Sequence, residues 1–151
     1  MSRPVLSVLF LCNHNSARSQ MAEAVLRHLS DGQIEVRSAG LGKKEIKPTV
    51  FEVMEEYGIP LVGHSSKTLE AIKDLQPFDY AVIVCKTDEN ECPGFTELAR
   101  NHLFWEIEGP FSPRKPADLD AAEKLIHYRG LRDQIVARVT GWLEEHRDEL
   151  A

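Results

Sequence analysis

The chain has few cysteines, no long apolar run and no excess of positive charge. Its 151 residues include three cysteines, which cannot all pair with one another and so do not form a framework of structural disulfides. No apolar run approaches the roughly 18 residues that cross a membrane. The short apolar run near the N-terminus lacks the small-residue cleavage site of a signal peptide. We therefore expect a cytoplasmic protein with no membrane partner.

The charge balance argues against a nucleic-acid partner. Twenty-four acidic and 18 basic residues give a formal net charge of -6, whereas nucleic-acid binding needs a basic face. The molecule as a whole would weakly repel an anionic substrate, so any attraction must be local. Hydrophobic content of 42% and charged content of 28% are ordinary for a globular chain. The length suits one domain, residues 1–151, with one core.

Apolar stretches of strand length alternate with helical patterns along the chain. The strand candidates are 5–11, 33–39, 80–84 and, more weakly, 103–107. Helical patterns cover 18–29, a segment from Pro48, a three-residue repeat over 69–75, and the chain from Asp118 onward. This order predicts an α/β fold, a single-domain parallel sheet of about four strands with helices on both faces. The 33–39 strand alternates polar and apolar residues, as an edge strand does, and 80–84 is apolar throughout, as a central strand is.

The helical patterns also predict which side chains are buried. The inward residues expected are Met21, Ala22, Val25 and Leu29 in the first helix, Val50, Phe51, Met54 and Tyr57 in the second, and Tyr128, Leu131, Ile135, Val139, Trp142 and Leu143 in the last.

The most informative stretch joins the first strand to the first helix and reads Cys12-Asn13-His14-Asn15-Ser16-Ala17-Arg18-Ser19. Backbone N–H groups at such a turn converge on an anion, and the positive potential there favours a thiolate near neutral pH. Arg18 offers a planar fork of donors that matches a tetrahedral oxyanion. A lone cysteine at a strand end is usually an inert small hydrophobe. The conjunction with Arg18 and Ser19 instead favours a thiolate nucleophile in an oxyanion cradle.

The two other cysteines allow two interpretations. Cys85 ends a buried strand, so in a parallel sheet it emerges at the same edge as Cys12. Cys92 follows in a polar loop that can bend to bring the two sulfurs together. Taken singly, each is an ordinary thiol. Taken with Cys12, they are sufficient for a sequence of thiol–disulfide exchanges.

The motif Cys12-x5-Arg18-Ser19, followed by Gln20-Met21-Ala22-Glu23-Ala24, resembles the low-molecular-weight protein tyrosine phosphatase superfamily and its arsenate reductase branch. The segment Cys85-x6-Cys92-Pro93 is similar to the thioredoxin-coupled arsenate reductases. The resemblance implies an arsenic-resistance oxidoreductase with a phosphatase-like fold. Such an enzyme reduces arsenate to arsenite, takes electrons from thioredoxin as its partner, and needs no organic cofactor.

The same resemblance implies roles for individual residues. Cys12 is the nucleophile, and Ser19 hydrogen-bonds to its thiolate. After arsenite leaves, a Cys12–Cys85 disulfide passes to a Cys85–Cys92 disulfide. The implied oxyanion-binding residues, through backbone amides or side chain, are Asn13, His14, Asn15, Ser16, Ala17 and Arg18. Ala17 stands where many phosphatases of the superfamily have a second cysteine.

The clearest departure from the family lies before Pro110. The family has an aspartate there as general acid, and this chain has Gly109. Glu108 is the candidate replacement, with a plain surface carboxylate as the alternative. Asp118 and Asp120 are further candidates, although Asp118 is typical of a helix cap.

Some members of the reductase branch bind potassium beside the loop. The corresponding residue types are present as Asn15, Glu23 and Ser38, but the acidic ligand expected near Lys67 is missing. The ordinary alternative for Glu23 is a solvated helix residue.

Two other functions are compatible with the sequence. One is a phosphatase of the same fold acting on phosphotyrosine proteins or small phosphate esters. The other is a non-enzymatic metalloid-binding or redox-sensing module in which three thiolates capture arsenite. A mycothiol- or glutaredoxin-linked reductase would look similar around Cys12. We expect a monomer.

Overall fold

The computed structural model describes residues 6–12, 17–40, 42, 44–75, 77–84, 99–108, 110 and 116–150. Its strands are β1 (Leu6–Cys12), β2 (Ile34–Gly40), β3 (Phe78–Ile83) and β4 (Ala99–Phe104). Its helices are α1 (Arg18–Ser30), α2 (Pro48–Glu56), α3 (Ala121–Glu145) and α4 (Arg147–Leu150), with 3-10 turns at Leu69–Leu75 and Pro116–Asp118. Among these described segments, none of the helices is long and apolar enough to cross a membrane.

The four strands form one parallel sheet in the order β2-β1-β3-β4. The chain therefore moves from β1 to one side and then crosses back to build the other side. In α/β sheets, ligand sites lie at the carboxyl ends of the strands where this reversal occurs. Cys12 is the last residue of β1 and stands opposite Gly40 of β2, so it lies at that edge. The predicted parallel α/β sheet is confirmed.

Burial explains the strand order. In β1, Val8, Leu9, Phe10 and Leu11 are all fully buried. Because successive side chains of a strand point to opposite faces, both faces of β1 are covered. The edge strand β2 alternates buried and half-buried residues over its first half, as predicted.

The fourth strand lies earlier than the sequence predicts. The predicted bounds of 103–107 are wrong, because β4 spans Ala99–Phe104 and, after the buried Ala99, its next two residues are exposed and polar. As a strand at the sheet edge, β4 does not need an apolar sequence on both faces. The apolar Trp105 and Ile107, which prompted the prediction, follow the strand and bury their side chains in the core. Trp105 packs against Phe10, with ring centroids 5.9 Å apart.

Two predicted helix faces need correction. In α2, Phe51 and Tyr57 are 38% and 44% exposed, and Val53 is buried instead with Val50 and Met54. The ring of Tyr57 lies against the guanidinium of Arg132, 4.9 Å from its centroid. The buried face of α2 is therefore rotated from the predicted one.

Helix α1 is enclosed more completely than its apolar pattern indicates. Leu29 is 37% exposed, against prediction, whereas Leu26 is buried. The helix packs on β1 and β2 and also on α3. This enclosure buries polar side chains too, namely Ser19, Gln20, Glu23 and Ser30.

The predicted stripe of α3 is confirmed, since all six of its residues are buried. The helix begins later than predicted. Its cap is Asp120, whose Oδ1 accepts from the Glu123 N–H at 2.8 Å while the Glu123 carboxylate accepts from the Asp120 N–H. Asp118, predicted as the cap, lies in the preceding 3-10 turn.

Candidate active site

Cys12 and Ser19 meet at the carboxyl end of the central strand. The Cys12 Sγ lies 2.9 Å from the Ser19 Oγ, and both residues are buried. Strand β1 brings the sulfur to the sheet edge, and the first turn of α1 brings the hydroxyl to the sulfur. When Cys12 is a thiolate, only the serine hydroxyl can donate in this pair, and such a hydrogen bond favours the charged sulfur. The predicted Cys12–Ser19 contact is present.

Arg18 begins α1 directly before Ser19. Its Nη1 donates to the carbonyl oxygen of Ile107 at 3.4 Å, and its side chain is half-buried. Burial raises the pKa of Tyr128 to about 12, with the positive charge of Arg18 opposing that rise. Arg18 stands at the N-terminal end of α1, where an anion is favoured, and it directly precedes Ser19, the hydrogen-bond partner of Cys12.

The segment after β4 supports Arg18 from the far side. Ile107 is buried, and the next carbonyl, that of Glu108, accepts from the Gln134 side chain of α3. Pro110 lies so close to Gly130 that a Cβ on the glycine would stand 2.6 Å from the proline Cδ. Helix α3 thus fixes the carbonyl that holds Arg18.

The candidate general acids have different surroundings in the structure. Glu108 has an exposed side chain one residue from the Arg18 contact. The side chain of Asp120 accepts from the Glu123 N–H and caps α3. Gly109 lies outside the described residues.

Several predicted site residues also lie outside the described residues. They are Asn13, His14, Asn15, Ser16, Cys85 and Cys92. The approach to Cys85 is described: the Val84 N–H donates to the Leu11 carbonyl at 2.8 Å. The chain therefore leaves β3 beside the residue that precedes Cys12.

Glu23 and Ser38, two members of the predicted potassium site, are in contact, and the Ser38 hydroxyl donates to Glu23 Oε1. The surroundings do not fit a potassium ion. Arg27 Nη2 lies 2.5 Å from Glu23 Oε2, and Lys67 Nζ and His64 Nδ1 each lie 3.9 Å from Oε1. Hard cations take oxygen ligands, whereas nitrogen-bearing cations surround this carboxylate.

The chain belongs to a family described as low molecular weight phosphotyrosine protein phosphatase, whose profile matches residues 7–150. The site fits that class, since a cysteine at a strand end and an arginine six residues later at a helix start form a site for an oxyanion.

Named relatives lie in the reductase branch of the family. A glutaredoxin arsenate reductase from Synechocystis is 32% identical over 134 residues, which cover 87% of this chain and 92% of the relative. A solved arsenate reductase in the phosphate binding state superposes with a TM-score of 0.72 at 28% identity, covering 93% of this chain and 98% of that one. A thioredoxin-dependent arsenate reductase of Corynebacterium glutamicum has a TM-score of 0.68 at 29% identity, covering 97% of this chain and 64% of that one.

Sequence reasoning missed the contacts of Glu23. The interpretation of Glu23 as a solvated residue is wrong, since it is 4% exposed. One signal was available, because Glu23 and Arg27 are four residues apart in the order that favours a helical ion pair. No local pattern indicated His64 or Lys67, which come from an irregular segment some 40 residues downstream.

Proposed function

We propose that this protein reduces arsenate to arsenite with Cys12 as the nucleophile. The observation that carries the proposal is the 2.9 Å contact between the Cys12 sulfur and the Ser19 hydroxyl at the carboxyl edge of the sheet. The reductases to which the chain is similar over most of its length support arsenate as the substrate. A thiolate stabilised by a neutral hydroxyl keeps its negative charge for attack.

Arg18 and the backbone amides of residues 13–18 bind the oxyanion in this proposal. The Ile107 carbonyl accepts from one nitrogen of the guanidinium. A planar guanidinium has the donor geometry that matches two oxygens of arsenate or phosphate. Because the whole molecule carries a net charge of -6, this local attraction is essential.

The reaction then proceeds through three thiols. The Cys12 thiolate attacks arsenic and displaces hydroxide or water, forming a sulfur–arsenic bond. The Cys85 thiolate attacks the Cys12 sulfur, and arsenic leaves as arsenite with the electron pair of that bond. The Cys12–Cys85 disulfide is next attacked by Cys92, which restores the Cys12 thiolate and leaves a Cys85–Cys92 disulfide. An external dithiol reduces this last disulfide.

Glu108 is our candidate proton donor for the leaving oxygen. Its backbone directly follows the Ile107 carbonyl that accepts from Arg18, and this proximity to Arg18 along the chain supports the proposal. The demand on this acid is small, because arsenate loses hydroxide or water, whereas a phosphate ester must lose an alkoxide. The replacement of the family's aspartate by Gly109 therefore harms ester cleavage more than arsenate reduction.

Thioredoxin is the proposed electron donor. A disulfide between two cysteines of one polar segment presents a small target that an external dithiol can reach. The relatives are named for two donors, glutaredoxin in Synechocystis and thioredoxin in Corynebacterium glutamicum. The choice therefore needs a direct test. A cytoplasmic location and a monomeric state complete the proposal, and size-exclusion chromatography checks the latter.

The test is arsenate-dependent NADPH oxidation under multiple turnover. One arm supplies thioredoxin and thioredoxin reductase, and a second supplies glutaredoxin, glutathione and glutathione reductase. We expect turnover in the first arm that disappears in Cys92→Ser, while hydrolysis of p-nitrophenyl phosphate by that variant is unchanged. Turnover only in the second arm would replace the donor. No arsenate turnover in either arm, with ester cleavage intact, would establish a phosphatase instead.

A second variant distinguishes catalysis from metalloid capture. Arg18→Lys keeps the positive charge but loses the planar fork, so we expect arsenate turnover to fall by roughly 100-fold. Binding of arsenite by thiolates does not need Arg18 and should be unchanged. If the variant retains full arsenate turnover, the assignment of Arg18 is wrong.

A further inference from the structure

Glu23 carries a negative charge in the interior of the protein. Its side chain is 6% exposed, and a bare carboxylate at such a site would be strongly disfavoured. Its two oxygens are engaged by different groups. Oε2 faces Arg27 Nη2 at 2.5 Å, and Oε1 accepts from Ser38 and faces Lys67 Nζ at 3.9 Å.

The third nitrogen-bearing neighbour is His64, whose surroundings favour the neutral ring. Burial lowers the pKa of His64, which favours the uncharged ring. The hydrogen bonds agree with one neutral tautomer. Nδ1 donates to the Gln20 Oε1 at 2.8 Å, which leaves Nε2 to accept from Arg27 Nη1 at 3.4 Å. The Gln20 amide nitrogen donates in turn to the Ser65 carbonyl at 3.0 Å, so each partner in this chain is used consistently.

The charges around Glu23 therefore already exceed its own. Among the residues that the structure describes, this carboxylate faces the guanidinium of Arg27 and the ammonium of Lys67, so these three side chains together carry a net charge of +1. Burial lowers the pKa of Lys67, and the carboxylate opposes that shift by favouring the protonated amine. A further monovalent cation would add positive charge beside these three side chains, which leave no negative charge for it to neutralise.

We propose that Lys67 is the resident cation of this site, so that its tethered ammonium takes the place of a bound potassium ion. The protein is then indifferent to the monovalent cation in solution. The Lys67 Nζ also donates to the Ser65 carbonyl at 3.1 Å, which fixes the ammonium near Glu23. No arsenate or redox chemistry is needed for this arrangement, so it stands independently of the proposed reaction.

The tethered cation also links the site to Cys12. The Lys67 carbonyl accepts from the Gly40 N–H at 2.9 Å, and Gly40 stands opposite Cys12 in the sheet. Glu23 lies on α1 four residues after Ser19, the hydrogen-bond partner of the Cys12 sulfur. The pair of Glu23 and Lys67 thus joins the end of β2 to the first turns of α1, and Lys67 is a positioning residue.

The test compares thermal unfolding in potassium chloride and in tetramethylammonium chloride at equal ionic strength. Tetramethylammonium is too large to enter a buried site. For the wild type we expect the two Tm values to agree within about 1 °C, on a scale of 2–4 °C per kcal/mol for a chain of this size. For Lys67→Gln we expect a Tm roughly 3 °C lower in tetramethylammonium, with at least half of the loss restored by potassium.

Lys67→Asp extends the test by supplying an oxygen ligand in place of the ammonium. We expect a larger loss of Tm without potassium and a larger recovery with it. Lys44→Gln is the matched control, because it removes an exposed lysine near the same segment without touching Glu23, and it should show no selectivity for potassium.

A second readout follows the site itself, the rate of Cys12 alkylation by iodoacetamide. We expect the potassium dependence of this rate to be absent in the wild type and present in Lys67→Gln. A wild-type Tm that rises in potassium by several degrees would overturn the proposal. So would a Lys67→Gln variant whose Tm and alkylation rate ignore potassium, since a purely structural lysine would not be rescued by an ion.

Discussion

Helix α1 carries two buried polar side chains one turn apart that are stabilised in opposite ways. Ser19 meets the Cys12 sulfur with a single neutral hydroxyl at 2.9 Å. Glu23 meets the side chains of Arg27, Lys67 and Ser38, two of them cationic. In the first contact a hydroxyl can donate to the sulfur, whereas in the second two cations offset the charge of a carboxylate.

The difference explains why one pair is reactive and the other is structural. A cysteine nucleophile must be held as a thiolate, and both a donating hydroxyl and the positive potential of a helix start favour that form. A structural carboxylate has no such need, and full compensation lowers the cost of burying it. Arg18 lies beside the reactive pair, yet its Nη1 is directed to the Ile107 carbonyl.

The largest effect expected is the loss of the nucleophile. Cys12→Ser should reduce hydrolysis of p-nitrophenyl phosphate and reduction of arsenate by roughly 10⁴-fold, the scale found when a catalytic nucleophile is removed. The Tm should change little, because a hydroxyl replaces a thiol of similar size. Cys85→Ser is the control for ester hydrolysis and should retain it. Activity above a few per cent of wild type in Cys12→Ser would contradict the assignment.

The next largest effect is on thermal stability and tests the ion pairs of Glu23 with Arg27 and Lys67. Glu23→Gln leaves Arg27 and Lys67 without their carboxylate, and breaking a buried ion pair costs roughly 3 kcal/mol, or about 9 °C in Tm. Glu35→Gln, on the edge strand with a 3.3 Å ion pair to Arg37, is the matched control and should cost far less. The measurement is thermal unfolding by circular dichroism. Equal losses of Tm in the two variants would mean that the buried ion pairs of Glu23 contribute no more to stability than the surface pair does.

A smaller effect, on the pH profile of Cys12 alkylation, tests the contact between Cys12 and Ser19. Ser19→Ala removes the hydroxyl that donates to the Cys12 thiolate, so alkylation of Cys12 should reach half of its maximum at a pH about one unit higher. Ser30→Ala is the control, because Ser30 is also buried on α1 but its hydroxyl donates to the Arg27 carbonyl. The rate of iodoacetamide alkylation against pH gives the answer. A profile unchanged from wild type would remove Ser19 from the account.

The smallest effect expected is on the pH dependence of Tm, and it comes from a charged contact of Glu56 near the surface. Contacts with Arg129 and Arg132 lower the pKa of Glu56 from 4.5 to about 2. Since the folded pKa is depressed, its contribution is present above pH 4.5 and is lost as the pH falls from 4.5 toward 2. Glu56→Gln should therefore flatten the fall of Tm over that window slightly, and Glu52→Gln on the same helix should not. A steeper fall in Glu56→Gln would reverse the sign of the argument.

The surroundings of Cys12 and Ser19 are predicted well from the sequence, because the elements that form them are neighbours along the chain. The apolar strand, the Cys12 motif and the helix pattern follow one another within 25 residues, and each has its own period or spacing. The position of Ser19 next to Arg18 at the helix start determines which side chains can reach the strand end. The contact of Cys12 and Ser19 was implied by the resemblance of this motif to a known family, and both residues lie within the motif.

The contacts of Glu23 could not be predicted in the same way, because several of its partners come from distant parts of the chain. Ser38 comes from β2, whereas His64 and Lys67 come from an irregular segment after Gly63, which adopts a φ of +77°. Nothing periodic marks such a segment. The misplaced fourth strand has a related cause, since Trp105 and Ile107 are apolar because they fill the core beyond the strand, not because they belong to it.

The most direct test of the proposed chemistry is a single turnover without any external donor. Arsenate is mixed with an excess of fully reduced protein, and arsenite and remaining thiols are then counted. We predict one arsenite formed for each two thiols lost, because reduction of arsenate takes the two electrons that one disulfide releases. Conversion with all three thiols retained, or no arsenite at all from a protein that still cleaves p-nitrophenyl phosphate, would contradict the account.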